Sequence, residues 1–323
     1  MLTIHEVWYG KSIGATIARI LLLPFSWLYS LGWKIYVLSY KLGINKPYRA
    51  SCKVICVGNF SAGGTGKTPT VIFVANCLRE MGLPFVIGCS GYGAQRSAGA
   101  TLAPTGPILA AEWGDEPAEI RDILRDVPII VGRARVTAAQ ICERECPGSI
   151  LLMDDGFQHL PLEKDLSIIL DPETSNSFTF PAGPYREPRS EGEKRADLVV
   201  PSPVFKHRFS DLIFMDSEGS SIPPPKLAHV LTAIGRPDLF RLSLEAAGIS
   251  IVNFHSMPDH HKLENTDLLT AIKQGTPWIV TRKDWVKVRS SGNSKGVDFI
   301  IAERSARIEP EADFSNWLKM RLG

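Results

Sequence analysis

The sequence predicts an α/β fold: a mostly parallel sheet of the P-loop NTPase type, with helices on both of its faces. Three observations support this prediction. Short apolar runs alternate with helical patterns between positions 54 and 170, as they do in parallel α/β sheets. A glycine-rich segment lies between the first apolar run and the first helical pattern, and two aspartates end a later run.

The composition is that of an ordinary globular protein. Of its 323 residues, 44% are hydrophobic and 22% are charged, which argues against a disordered chain. A formal net charge of +2 gives no reason to expect a nucleic-acid partner, and nothing in the sequence indicates an obligate protein partner. The six cysteines follow no zinc-ligand spacing. We therefore expect buried, reduced thiols in a reducing compartment.

Residues 1–45 are predicted to form a helical segment that associates with a membrane. The only charged residues between positions 13 and 44 are Arg19, Lys34 and Lys41. Tryptophans and tyrosines are interleaved with the apolar residues, as is typical of a membrane interface. Pro24 and Gly32 interrupt the run, so two shorter helices fit it as well as one. A helix that spans the bilayer, a helix in one leaflet and a buried hairpin all remain open.

The rest of the chain divides into two predicted domains. Residues 46–205 form a P-loop core, and residues 228–323 form a smaller C-terminal α/β domain in which strands and helices alternate again. The intervening residues 206–227 are polar and end in three prolines. We interpret them as a linker with room for a short hairpin.

A phosphate-binding loop is predicted at Ser61-Ala62-Gly63-Gly64-Thr65-Gly66-Lys67-Thr68. The segment follows an apolar strand and begins a helix, whose N-terminal dipole attracts anions. In this pattern Lys67 reaches the β- and γ-phosphates of a nucleotide and the Thr68 hydroxyl binds Mg²⁺. Ser61 replaces the first glycine of the full pattern. Glycine-rich turns also occur without nucleotide, but the Gly-Lys-Thr sequence in this context favours nucleotide binding.

Two aspartates provide candidate metal ligands. Asp154 and Asp155 follow the apolar run at positions 150–153. A carboxylate at the end of a strand beside a phosphate loop lies near Mg²⁺, directly or through water. The competing interpretation is a pair of aspartates that cap the turn before Gly156.

Several blocks of sequence resemble the tetraacyldisaccharide 4′-kinases, which are the lipid A 4′-kinases. Together they span positions 54 to 288. In chain order they are Val57 to Pro69, Gly91-Tyr92-Gly93, Gly114-Asp115-Glu116-Pro117, Asp154-Asp155-Gly156-Phe157-Gln158-His159, Pro181 to Glu187, Gly235-Arg236-Pro237, Pro258-Asp259-His260-His261 and Thr281-Arg282-Lys283-Asp284. The Asp-Asp-Gly-Phe-Gln-His and Gly-Asp-Glu-Pro blocks are the most specific of these.

The resemblance implies an activity and a location. Enzymes of this family transfer the γ-phosphate of ATP, with Mg²⁺, to the 4′-hydroxyl of a tetraacylated glucosamine disaccharide 1-phosphate. They act at the cytoplasmic face of the bacterial inner membrane, which their N-terminal hydrophobic helix contacts. A lipid-disaccharide substrate and the inner-membrane surface are therefore the partners that we expect.

The resemblance also implies catalytic roles. Asp115 matches the family's base, and His260 matches the histidine that assists it, with His261 as an adjacent rival. An N-cap at Asp115 and a surface-loop histidine at His260 are the competing interpretations. With Lys67, these two residues are the predicted catalytic group.

Four further residues match family positions near the nucleotide, the metal or the substrate. Glu187 is expected to join Thr68, Asp154 and Asp155 at the metal. The candidates for substrate contact are Glu116, His159 and Arg186. A surface arginine–glutamate pair is the competing interpretation of Arg186 and Glu187.

The chain departs from the family pattern at Ser90, where the family usually has arginine before Gly-Tyr-Gly. If that arginine contacts a substrate phosphate, Arg96, Arg133 or Arg135 is the expected replacement.

Three other functions are alternatives to a lipid kinase. A membrane-associated P-loop switch ATPase would have lysine just before the paired glycines, where this chain has Ala62. A nucleotide-binding module without catalysis would not need Asp115, Asp154 and Asp155 together. A soluble small-molecule kinase would not need the apolar N-terminus.

Overall fold

Two sheets form the framework of the protein. The computed structural model describes residues 2–91, 94, 97–172, 174–259, 261, 263, 275–291 and 297–323. The first sheet has seven strands in the order β3-β4-β2-β5-β1-β6-β7. They are β1 (Val54–Asn59), β2 (Phe85–Cys89), β3 (Ala100–Leu102), β4 (Ile129–Gly132), β5 (Ile150–Asp154), β6 (Leu166–Leu170) and β7 (Leu198–Val200). All neighbouring strands are parallel except β3 and β4.

Helices cover both faces of this sheet, as predicted. They are α3 (Lys67–Glu80), α4 (Ala110–Trp113), α5 (Asp115–Ile123), α6 (Arg135–Glu145) and α7 (Arg189–Glu193). Strand residues alternate between two apolar cores: Ile55 and Val57 face the core that includes α3, α4 and α5, whereas Val54 and Cys56 face the core of α6. Strands β1, β4, β5 and β6 are buried on both faces, which explains their continuous apolar sequences, whereas the edge strand β3 is partly exposed.

The second sheet has six strands in the order β10-β9-β14-β13-β11-β12. They are β9 (Ile213–Met215), β10 (Ser221–Ile222), β11 (Leu227–Thr232), β12 (Ser250–Ser256), β13 (Trp278–Thr281) and β14 (Phe299–Glu303). The neighbouring strands β12, β11, β13 and β14 are parallel. Strand β9 pairs with β14, and β10 with β9, in antiparallel orientation. Helices α8 (Pro237–Ala246) and α9 (Arg282–Ser290) accompany this sheet.

The two units exchange chain segments across the predicted domain boundaries. Residues 206–227 contain β8 (Lys206–Phe209), β9 and β10, and the last two form a hairpin that extends the second sheet. Strand β8 pairs with β15 (Ala306–Glu309), and α10 (Glu311–Leu322) then returns to the first unit. Phe314 and Leu318 of α10 belong to the same core as Val71 of α3, because the first unit leaves an apolar face that this helix covers.

The N-terminus forms α1 (Ile4–Tyr9) and a single helix, α2 (Ile13–Lys41). The two shorter helices that the sequence also allowed are not formed. Pro24 removes only one backbone donor, and a Cβ at Gly32 would meet no atom within 4 Å. By length and composition α2 can cross a membrane, with a mean hydropathy of 1.3.

The inner face of α2 makes both apolar and polar contacts with the protein. Ala15 and Val37 are buried there. The Ser26 hydroxyl donates to the carbonyl of Thr179 at 2.8 Å and accepts from the amide of Ala182 at 2.9 Å. The outer face carries the exposed side chains Ile13, Ile17, Ile20, Leu21, Phe25, Trp27, Leu28, Leu31, Ile35 and Leu38. So large an apolar surface is typical of a membrane or partner contact, and it is incompatible with the buried hairpin.

Candidate active site

The glycine-rich loop connects β1 to α3 at the carboxyl edge of the first sheet. Gly63 and Gly66 have φ values of +116° and +83°, which favour glycine at these turns. The Asn59 side chain donates to the Thr65 hydroxyl at 3.1 Å and to the Ser61 carbonyl. The loop is therefore tied to the last residue of its strand.

Sheet topology brings the first aspartate to the loop. Strands β1 and β5 are parallel neighbours, with Val57 opposite Asp154. The Thr68 hydroxyl donates to Asp154 Oδ2 at 2.8 Å. The two predicted metal ligands therefore lie side by side.

The second aspartate lies among cations. Asp155 Oδ2 is 3.8 Å from Lys67 Nζ, and Arg186 Nη1 donates to both carboxylate oxygens at 3.0 and 2.7 Å. Burial raises the pKa of Asp155, but Lys67 and Arg186 outweigh it and hold that pKa below its ordinary value. Asp155 is therefore a stable carboxylate at neutral pH.

Asp154 has the opposite electrostatic environment. Burial, followed by the nearby Glu116 carboxylate, raises the pKa of Asp154 to about 7. A buried carboxylate that resists ionisation is one that a cation would stabilise. Mg²⁺ is bound by one or two carboxylates together with water and phosphate oxygens. The hydroxyl of Thr68 and these two aspartates fit such a site, although the described part of the chain has no cluster of three His, Cys, Asp or Glu ligands.

These groups open into a cavity of about 480 Å³ between the two units. The phosphate loop, Ser90, Glu116, Glu119, Asp154, Asp155 and Arg186 line it from the first unit. The second unit contributes Ile234, Gly235, Asp259, Thr281 and Lys283. A site that is split between two units can hold a donor on one wall and an acceptor near the other.

Comparisons with known proteins agree with this geometry. The family model for the tetraacyldisaccharide-1-P 4′-kinases, LpxK, matches residues 18–323. The chain belongs to the tetraacyldisaccharide 4′-kinase family.

Similar proteins include the tetraacyldisaccharide 4′-kinases of Methylobacillus flagellatus and Syntrophus aciditrophicus. The first is 36% identical over 300 residues, covering 88% of this chain and 86% of the relative. The second is 32% identical over 315 residues, covering 83% and 84%. The crystal structure of the "apo" form of LpxK from Aquifex aeolicus in complex with ATP has a TM-score of 0.80 and 25% identity, and covers 94% of this chain and 99% of that chain. The protein is thus an ATP-dependent kinase of lipid A biosynthesis, a process that this family carries out at the membrane.

In this tetraacyldisaccharide 4′-kinase family member, Asp115 begins α5 beside the cavity. It is not among the lining residues, whereas its neighbour Glu116 is. Asp115 Oδ2 is 3.2 Å from Lys287 Nζ. His260 lies outside the described residues. The rival, His261, accepts a hydrogen bond on Nδ1 from the amide of Leu263 at 3.1 Å.

The structure does not bring Glu187 to the predicted metal ligands, because its carboxylate is fully buried elsewhere. Gln158 Nε2 donates to Oε1 at 3.0 Å, and Trp33 Nε1 donates to Oε2 at 3.0 Å. Arg195 forms an ion pair with the same carboxylate. Three donors already bind this carboxylate, and Glu187 does not line the cavity, so the structure does not bring it together with the other predicted metal ligands.

His159 does not line the cavity either. Burial, followed by the nearby cations Lys164 and Arg135, lowers the pKa of His159 to about 4, so the imidazole is neutral. The structure gives no support to its assignment as a substrate contact in the cavity.

The arginines proposed to replace the family arginine at Ser90 lie elsewhere or outside the described residues. Arg135 is buried behind the aspartates, where it donates to the carbonyls of Asp154, at 3.1 Å, and of Asp155. Arg133 is not a lining residue, and Arg96 is not described. Among the described residues, the cations that line the cavity are Lys67, Arg186 and Lys283. No role for Lys283 was predicted from the sequence, although Lys283 lies in the Thr-Arg-Lys-Asp block that resembles the family.

Proposed function

We propose that this protein transfers the γ-phosphate of ATP to the 4′-hydroxyl of a tetraacyldisaccharide 1-phosphate. One observation carries the proposal: the phosphate loop, the Thr68–Asp154 pair and the Asp155–Arg186 pair meet in a single cavity. The relatives named for this reaction support the choice of acceptor.

The donor half of the site binds ATP through the loop at residues 61–68. Backbone amides of a glycine-rich turn and the N-terminus of α3 attract phosphate oxygens. Lys67 and Arg186 line the same cavity and neutralise phosphate charge. Thr68, Asp154 and Asp155 are the residues that would hold Mg²⁺. When bound, this ion neutralises charge on the phosphates and orients them.

The acceptor half of the site removes a proton. Phosphoryl transfer asks the protein mainly for positioning and charge neutralisation, but the attacking hydroxyl must still lose its proton. In our proposal Asp115 accepts this proton while the hydroxyl oxygen attacks the γ-phosphorus and ADP leaves. His260 orients the Asp115 carboxylate or raises its basicity.

A lipid acceptor gives the N-terminal helix its function. We propose that the apolar face of α2 enters the cytoplasmic leaflet of the bacterial inner membrane. Tyr29 on α2 donates to the backbone carbonyl of Arg186 at 2.6 Å, next to the phosphate cavity. A substrate held in that leaflet would therefore have only a short distance to travel to the site.

The activity is tested with radiolabelled ATP and purified tetraacyldisaccharide 1-phosphate in detergent. We expect transfer by the wild type, none by Lys67→Ala, and none by Asp115→Ala, which should still bind ATP. Transfer to a different acceptor but not to this one would overturn the substrate assignment. Full activity of Asp115→Ala would overturn its role as the base.

The membrane contact is tested by flotation with anionic vesicles. Leu21→Glu/Leu28→Glu places two charges on the exposed face of α2 and should lower the bound fraction strongly. Val204→Glu, at another exposed apolar position, is the control and should float like the wild type. Equal flotation of all three proteins would contradict the proposal.

A further inference from the structure

A buried ion pair joins the two units beside the predicted base. Lys287 lies on α9 of the second unit and is only 2% exposed. Its Nζ is 3.2 Å from Asp115 Oδ2 on the first unit and 3.4 Å from Asp284 Oδ1 on its own helix. A single ammonium therefore bridges two carboxylates across the interface.

The second sheet fixes one end of this bridge. Asp284 is fully buried, and its Oδ2 accepts hydrogen bonds from the Thr232 hydroxyl at 2.9 Å and the Thr281 hydroxyl at 2.7 Å. The amide of Ala233 donates to the same oxygen at 3.2 Å. These donors lie at the carboxyl ends of β11 and β13, so Asp284 cannot move without disturbing the sheet.

Lys287 is held in place by the same anchor. A buried ammonium is stable only where carboxylates or carbonyls replace its lost hydration. Asp284, one helical turn away, supplies the first such partner, and Asp115 supplies the second. Val286, the neighbour of Lys287, belongs to the apolar core of the first unit. The helix that carries the ammonium is therefore packed against both units.

We propose that Lys287 is a positioning residue for catalysis: it orients the Asp115 carboxylate toward the acceptor hydroxyl. The proposal rests on the proposed role of Asp115 as the base. Proton transfer requires the base within hydrogen-bonding reach of its proton, and misplacement by about 1 Å can cost about a hundredfold in rate. The ion pair makes the position of the base depend on the docking of α9 against α5.

The experiment compares two neutral variants with a conservative one. Lys287→Met and Lys287→Gln remove the charge, whereas Lys287→Arg keeps it. We expect kcat to fall about ten- to a hundredfold in both neutral variants, with the KM for ATP within about twofold of the wild type. Lys287→Arg should recover much of the loss. Circular dichroism melting shows whether each variant folds, and Lys287→Gln serves if the methionine variant does not.

A matched control separates positioning from loss of the interface. Arg289 lies on the same helix and pairs with Asp122 of α5 at 2.7 Å. Arg289→Met removes a cation from the same interface away from Asp115, and should leave kcat close to that of the wild type. An equal fall of kcat in Arg289→Met and Lys287→Met would overturn the proposal, because interface integrity alone would then explain both.

A double variant tests whether Lys287 acts through Asp115. If it does, adding Lys287→Met to Asp115→Asn should cause almost no further loss of the residual rate. Independent, multiplicative losses would overturn the positioning role.

The two proposals fail differently. An inactive Asp115→Asn with an active Lys287→Met refutes only the role of Lys287, whereas an active Asp115→Asn with an inactive Lys287→Met refutes Asp115 as the base.

Discussion

Trp33 of α2 donates a hydrogen bond of 3.0 Å from its indole nitrogen to Glu187 Oε2. This contact begins a path from the N-terminal helix to the phosphate loop. Gln158 donates to the other oxygen of Glu187 at 3.0 Å and to the carbonyl of Asn59 at 2.9 Å. Because Asn59 holds Thr65 and Ser61 through its own side chain, hydrogen bonds connect the N-terminal helix α2 to the glycine-rich loop.

Removing the indole donor should therefore slow catalysis without releasing the protein from membranes. Trp33→Phe deletes one hydrogen bond to a carboxylate, a bond that contributes about 1.5–3 kcal/mol to stability. We expect kcat to fall about three- to tenfold, because only part of this loss is transmitted through Glu187 and Gln158 to the loop. Flotation with vesicles should be unchanged. Trp27→Phe, on the exposed face of α2, is the control for loss of an indole. The prediction fails if both variants lose the same activity.

Glu187 should matter for stability rather than for binding the metal. Glu187→Ala removes a fully buried carboxylate that pairs with the partly buried Arg195, and we expect the free energy of unfolding to fall by about 3 kcal/mol in a urea titration. Glu193→Ala removes a partly exposed partner of Arg189 and should cost little. In Glu187→Gln the Mg²⁺ concentration for half-maximal activity should stay as in the wild type. A large increase would restore Glu187 to the metal site.

Asp154 should make the metal-free protein less stable as the pH rises. Its pKa is raised from the ordinary 3.8 to about 7, so the native protein retains a proton that the unfolded chain has released. Between about pH 4 and pH 7 the native state binds more protons, and the free energy of unfolding contributed by this group falls.

This pH dependence is measured by chemical unfolding in the presence of a chelator. Asp154→Asn should lack this part of the decline with rising pH. Added Mg²⁺ should stabilise the wild type above pH 7 more than it stabilises the variant. If the free energy of unfolding depended on pH identically in the two proteins, burial of the Asp154 carboxylate would cost no stability.

Gly66 is expected to tolerate a side chain poorly. Its φ is +83°, which strains any other residue, and a Cβ there would lie 2.5 Å from the exposed Phe209 ring. Gly66→Ala should weaken ATP binding in a titration calorimeter, because the strained loop or the Phe209 ring must shift. Gly82 has a φ of +70° with no atom within 4 Å of the added Cβ. Gly82→Ala should therefore cost about 1 kcal/mol of stability and leave ATP binding intact. Normal ATP binding by Gly66→Ala would contradict this view of the loop.

Local sequence determined much of this protein. The Gly-Lys-Thr loop between an apolar strand and a helix, and the aspartates that end another apolar strand, predicted the fold class and the phosphate site. The order of strands in the sheet then brings two of the predicted metal ligands together. Because β1 and β5 are parallel neighbours, the Thr68 hydroxyl lies 2.8 Å from Asp154 Oδ2. The apolar N-terminus was equally clear, because its composition alone separates it from the rest of the chain.

Other features depended on contacts between distant segments. Glu187 follows Arg186 directly, yet the backbone turns one side chain toward Asp155 and buries the other against Trp33 and Gln158. Adjacent sequence positions could not reveal this divergence. Residues 206–227 were predicted to be a linker with room for a short hairpin. The hairpin forms as β9 and β10, but the pairing of β9 with β14 and of β8 with β15 depends on distant segments.

The sequence by itself predicted a nucleotide phosphate site, because the residues of the loop at positions 61–68 are consecutive in the chain. Only the tertiary structure decided that Lys287 meets Asp115, 172 positions earlier in the chain, at 3.2 Å. The physical reason is that a loop's hydrogen bonds are local, whereas a buried ion pair forms only where two packed units exclude water around both charges.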